Sequence, residues 1–183
     1  MPRLFTGIEL PAAQTAELAS LQGGLFGARW IEPGDFHITL AFMGDVGARL
    51  AEEADEMLAR LHKPRMRLRL VGLDVFGAKK PTSIFARVAS DPALCELQAA
   101  HVSLLRRLGA KIEKRRFQPH VTLARTARCE PSAIARFLGE RGGYISEPFE
   151  ARRFVLYSAR ESVGGGPYHV ERAYPLRPAL EPA

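Results

Sequence analysis

The chain has 183 residues, with 26 Lys and Arg against 20 Asp and Glu and a formal net charge of +6. That length suits one domain with a sizeable core; no apolar run nears the ~18 residues that span a bilayer, and the start lacks the apolar stretch of a signal peptide. Cys95 and Cys129 show neither metal-type spacing nor a close partner, so both are expected as free thiols, packed as apolar filler, in a reducing cytoplasm.

Arg3 to Leu10 reads as a strand that Pro11 stops, and Pro11 opens a helix over Ala12 to Leu21. Gly23, Gly24 and Gly27 end it, and Arg29 to Ile31 is a short extended piece. Pro33-Gly34 turns the chain into the strand FHITLAF, and Ala48 to Leu61 follows as an amphipathic helix. Met66 to Phe76 alternates as a strand. After a turn at Gly77 to Pro81 the order restarts. Ser83 to Ala89 is a strand, and Asp91-Pro92 opens a helix to about Leu108. A basic stretch, Lys111, Lys114, Arg115 and Arg116, leads into the strand PHVTLAR. A shorter helix starts at Pro131-Ser132, strands cover Phe149 to Ser158 and Tyr168 to Leu176, and Gly164-Gly165-Gly166 joins those two as a hairpin loop.

The two halves keep register. Phe5 matches Phe85, Pro11 matches Pro92, and His37 matches His120, at offsets of 80, 81 and 83 residues. The spacing predicts one domain over residues 1–183, an internal duplication with lobes at about 1–77 and 82–176. Each half repeats the phrase His-x-Thr-Leu: His37 with Thr39, and His120 with Thr122. Side chains alternate along a strand. Each phrase therefore buries its apolar residues on one face and sets an imidazole beside a hydroxyl on the other, with Cα atoms roughly 6.6 Å apart.

Two facing imidazoles suit acid–base chemistry near neutral pH, since one can take a proton while the other gives one. Two hydroxyls at the same depth can donate to the non-bridging oxygens of a phosphate. The set fits displacement at phosphorus without a metal or other cofactor. The positive net charge adds to this, because it favours polyanion partners. Arg125 is a candidate phosphate clamp, but regular alternation puts it opposite His120 and Thr122, and it reaches the site only if the strand ends or bulges near Ala124. Asp35 has the parity of His37 but is expected to belong to the turn, and Gln118 stands in its place in the second half. Neither motif carries the further close ligands a metal site wants, and no nucleophile-elbow phrase appears.

The opening RLFTGIELP, the phrases FHITLAFMGDV and FQPHVTLAR, and the ending LYSAR…GGGPYHVERAYPL together resemble the two-histidine phosphoesterases, most closely the RNA 2',3'-cyclic phosphodiesterases once named 2'-5' RNA ligases. The resemblance implies an α+β fold, internally duplicated and two-lobed, with antiparallel sheets flanked by helices around a central cleft. It implies opening of a terminal 2',3'-cyclic phosphate on RNA to a 2'-phosphate. It makes His37 the proton donor and His120 the proton acceptor, with Thr39, Thr122 and Arg125 on the phosphate. The implied partners are RNA ends or nucleotides carrying a cyclic phosphate, with no membrane, and the chain is expected as a monomer. Ligation or cleavage of 2'-5' linkages in the same cleft, and a non-catalytic RNA-end-binding module, are the alternatives. Thr6-Gly7 departs from the bulkier apolar start of such relatives. Trp30 and Phe42 are expected in the core, and His62, His101 and His169 carry no assigned role.

Overall fold

The computed structural model describes residues 3–77, 79–112, 116–159 and 166–178. Lys114, Arg115, Gly164 and Gly165, named above, lie outside the described residues. Among the described residues ten strands and four helices follow in order: β1 (Arg3–Glu9), α1 (Ala12–Ser20), β2 (Arg29–Trp30), β3 (His37–Asp45), α2 (Ala48–Ala59), β4 (Met66–Leu68), β5 (Leu70–Phe76), β6 (Ser83–Val88), α3 (Pro92–Arg107), β7 (His120–Arg125), α4 (Pro131–Arg141), β8 (Phe149–Ala151), β9 (Arg153–Ala159) and β10 (His169–Pro175). A 3-10 turn, Pro33–Asp35, leads into β3. The class is α+β, as the resemblance implies.

One antiparallel sheet runs in the order β10-β9-β1-β3-β7-β6-β5, with β2 on β7. The two His-x-Thr strands are neighbours at its centre, joined through Ile38 opposite Val121. Both of those residues are fully buried. They point away from the histidines, into a core shared with Leu40, Leu94, Leu97 and Leu123. Burying each such side chain stabilises the fold by about 1.5–3 kcal/mol. The alternation therefore fixes which face of the central pair meets solvent, since a one-residue slip would expose Ile38 and Val121.

Two predicted strands prove to be two strands each. The run from Met66 to Phe76 breaks at Arg69, and the run from Phe149 to Ser158 breaks at Arg152. The first parts, β4 and β8, leave the main sheet and pair with each other. At the first break Arg69 Nε donates to the carbonyl of Ser146 at 2.8 Å, and the Leu70 amide donates to Ser146 Oγ at 3.0 Å. These bonds hold the backbone where the ladder ends. Helix α3 starts as its sequence indicates: the Asp91 side chain accepts from the Leu94 amide at 2.8 Å, and Pro92 opens the first turn.

Behind the sheet, α3 carries a histidine with no exposure. His101 Nδ1 shares a 2.9 Å hydrogen bond with Thr6 Oγ1, its ring lies 4.5 Å from that of Phe154, and its Nε2 has no hydrogen-bond partner. Burial lowers its pKa from 6.5 to about 3. The folded state thus refuses a proton that the unfolded chain accepts below pH 6.5. The stabilisation is complete above that value and is lost as pH falls towards 3. Between pH 7 and pH 5 this one group is expected to cost the wild type about 2 kcal/mol. Urea unfolding at both pH values checks it: His101→Gln should lose less stability than wild type over that interval by this amount, and an equal loss would exclude the assignment.

Candidate active site

The central strand pair delivers the geometry that the motifs call for. Extending the antiparallel register one residue either side of Ile38 and Val121 sets His37 across from Thr122, and Thr39 across from His120. Directly opposed residues have Cβ atoms about 4.5–5.5 Å apart, and diagonal ones roughly 7–8 Å. The four side chains enclose a patch of phosphate size. All four line a cleft of about 400 Å³, together with Asp35, Phe42, Arg116, Arg125 and Tyr168.

Each ring is oriented by its own strand entry. His37 Nδ1–H donates to the carbonyl of Asp35 at 2.7 Å, and His120 Nδ1–H donates to the carbonyl of Gln118 at 2.7 Å. A carbonyl can only accept, so Nδ1 holds the proton in each neutral ring and Nε2 carries the basic lone pair. His37 Nε2 lies 3.0 Å from Thr39 Oγ1. Aromatic rings fix each imidazole further. Phe5, Tyr157 and Tyr168 lie 5.0, 5.4 and 5.1 Å from His37, and Phe76 and Phe85 lie 4.8 and 5.1 Å from His120. Burial in this setting dominates the His37 pKa and lowers it to about 4. The Asp35 carbonyl and, less strongly, the Asp35 carboxylate oppose that fall, while His120 adds to it.

Arg125 reaches the cleft because β7 bulges. β6 pairs Ile84 with Ala124 but Phe85 with Thr122, so Leu123 is an extra residue and the parity beyond it reverses. The Leu123 carbonyl accepts from the Ile31 amide at 2.9 Å, which ties the bulge to the segment beside it. β3 bulges at the matching place. β1 pairs Thr6 with Ala41 but Gly7 with Thr39, so Leu40 is the extra residue. The residue brought to the cleft there is Phe42, which is 50% exposed. The expectation that Phe42 is core is therefore wrong: it assumed regular alternation, and the bulge turns the ring outward. Cys95 is likewise exposed on α3, and Cys129 is partly buried against the core; both are free. Trp30 packs against the core as expected, 5.7 Å from the Phe137 ring.

Comparison with known proteins places the chain in a family. The model for the family described as LigT like phosphoesterase matches residues 8–85 and again 88–168. The chain belongs to the LigT-like phosphoesterase family. It is 37% identical over 155 residues to the RNA 2',3'-cyclic phosphodiesterase of Geobacillus stearothermophilus, a match covering 80% of this chain and 47%, about half, of that relative. It is 26% identical over 168 residues to the protein of the same name from Bacillus subtilis, covering 88% of this chain and 86% of the relative. Among solved structures, a Thermus thermophilus protein superposes with a TM-score of 0.83 at 22% identity, over 97% of this chain and 100% of the other. Escherichia coli LigT in complex with 3'-AMP superposes with a TM-score of 0.78 at 24% identity, over 96% and 99%. These two likenesses speak for the fold.

In this cleft His37, Thr39, His120, Thr122 and Arg125 all come together, and so does Arg116 from the basic stretch. His62 and His169 are exposed and do not line the cleft. The sequence reading missed the aromatic bed under the histidines. Its signal was there, since Phe5 and Phe85 are the matched pair that first showed the two halves in register. The reading also found no use for Thr6-Gly7. The structure supplies one: Thr6 bonds His101, and a Cβ on Gly7 would sit 2.9 Å from the Ile38 carbonyl oxygen, 3.3 Å from Tyr157 and 3.5 Å from the His37 ring. Glycine there lets β1 approach the β3 backbone at Ile38. Among the described residues no group of three or more His, Cys, Asp or Glu side chains could hold a metal ion.

Proposed function

We propose that the chain opens a 2',3'-cyclic phosphate at an RNA end, leaving a 2'-phosphomonoester and a 3'-hydroxyl, by acid–base catalysis from its own side chains. The observation that carries this reading is the paired geometry: two imidazoles on adjacent strands, each held at Nδ1 by a main-chain carbonyl and each beside a threonine hydroxyl. His120 Nε2 takes a proton from water as the water oxygen bonds to phosphorus. The P–O3' bond breaks, and imidazolium His37 gives its Nε2 proton to O3'. Thr39 and Thr122 donate to the non-bridging oxygens, and the Arg125 guanidinium balances the charge that builds there. Turnover leaves His120 protonated and His37 neutral, and exchange with solvent resets the pair. Burial holds His37 near pKa 4; an anionic phosphate beside it favours the imidazolium and counters that penalty.

Support for RNA as the substrate comes from the names of the curated relatives, from the net charge of +6, and from Phe42, whose exposed ring offers a stacking face to a base. The reading also treats residues 1–183 as one duplicated domain acting as a monomer, because both histidines of the cleft come from one chain. No described helix is long and apolar enough to cross a membrane, and we place the protein in the cytoplasm, where Cys95 and Cys129 stay reduced.

The test is RNA bearing a 2',3'-cyclic end, incubated with the protein in EDTA, with the product phosphate mapped. A terminal 2'-phosphate is expected. A 3'-phosphate, dependence on added metal, or binding without opening would overturn the reading, and a joined 2'-5' product would replace it with ligation.

A further inference from the structure

Around the Nδ1 atoms of the two imidazoles the half-sites match, with one chemical exception. Phe5 and Phe85 lie beside the rings, Thr39 and Thr122 flank them, and the carbonyls of residues 35 and 118 hold Nδ1. The side chains on those carbonyl-bearing residues differ. Position 35 is aspartate and position 118, the same 83 residues further on, is glutamine. The Asp35 carboxylate is held in place. Its Oδ1 accepts from the Tyr168 amide at 3.0 Å, and its Oδ2 lies so close to Gly166 that a Cβ there would sit 1.9 Å away. Tyr168 in turn sets its ring edge-on to His37 at 5.1 Å and 89°.

We propose that Asp35 is the positioning residue that makes His37, rather than His120, the proton donor. This rests on the acid–base reading above and adds what breaks the symmetry of the pair. A fixed carboxylate beside an imidazole favours its protonated form, and an amide does not. Other charged and titratable groups face His37. From β7 come His120 and Arg125, and Arg116 lines the same cleft; these oppose an imidazolium. From β1 comes Glu9, paired in register with His37 but bound at 2.6 Å by Arg153 of β9. Tyr157 of β9 and Tyr168 face it with phenol rings, and burial pushes the Tyr157 phenol up, which keeps it neutral. A bound phosphate screens Arg125 and Arg116 from the ring. With Glu9 matched by Arg153, Asp35 is, among the described residues, the carboxylate that acts on His37. The same side chain holds Tyr168, whose ring lies edge-on to His37, so charge and orientation are set together.

Asp35→Asn separates the two contributions, because its amide oxygen can still accept from the Tyr168 amide. With wild type and variant saturated with inorganic phosphate, NMR titration of the imidazole resonances reads each histidine without turnover. The His37 titration is expected to fall by about 1 pH unit in Asp35→Asn, with His120 moving less. The alkaline limb of kcat on a 2',3'-cyclic nucleotide, which reports the substrate complex, should move down with it. Gln118→Asp should raise the His120 titration and move the acid limb up. An unmoved His37, equal movement of both rings, or an unmoved His120 in Gln118→Asp would overturn the proposal. Failure of the underlying reading looks different: wild type would leave the cyclic phosphate closed, whatever the rings do in the phosphate titration.

Discussion

Alanine at His37 or at His120 is expected to lower kcat/KM on cyclic-ended RNA by roughly 10²–10⁴-fold each, the ordinary worth of a positioned acid or base. The double variant should fall little further than the worse single one, because each proton transfer needs its counterpart. The fold should survive both changes. His37 and His120 are only partly buried or cleft-facing, and the core beneath the pair is built by Ile38 and Val121 on the other face. Circular dichroism and thermal melts check that point. The two variants should also differ from one another. A phosphodiester with a nitrophenolate leaving group departs without a proton, so His37→Ala should keep more of its rate on that substrate than His120→Ala does. The pH–rate profile of wild type should be bell-shaped, with both limbs belonging to the pair. Undiminished activity in both alanine variants would remove the histidines from the chemistry.

The second large effect is expected at Arg125. Its guanidinium enters the cleft only because Leu123 is an extra residue on β7. A charge-assisted hydrogen bond to phosphate is worth about 1.5–3 kcal/mol, so Arg125→Ala should lower kcat/KM by roughly 10–150-fold. Arg125→Lys should recover part of it, as a point charge without the planar fork. Inhibition by inorganic phosphate should weaken in step. Steady-state kinetics across a salt series reads all three, and an unchanged phosphate affinity in Arg125→Ala would remove the guanidinium from the phosphate site. The matching residue in the other half is Phe42, also turned into the cleft by a bulge. The cleft is therefore lined by a cation from β7 and an aromatic face from β3.

Much of the site is legible along the chain alone. Period-two alternation in FHITLAF and PHVTLAR was enough to put each histidine beside its threonine and to bury Ile38 and Val121. Pro92 behind Asp91 placed the start of α3, because proline and an aspartate cap act within one turn of the chain. The 83-residue repeat paired the motifs before any coordinates. These are local or periodic signals, carried by neighbours along the chain. The tertiary structure decided the rest. Whether Arg125 or Phe42 faces the cleft depends on bulges at Leu123 and Leu40, and a bulge is a mismatch in register between two strands that no single segment encodes. The breaks at Arg69 and Arg152 follow from which sheet each strand joins. Asp35 gains its place beside His37 from Tyr168, 133 residues on. Such features arise from contacts between distant stretches, and the fold alone brings those stretches together.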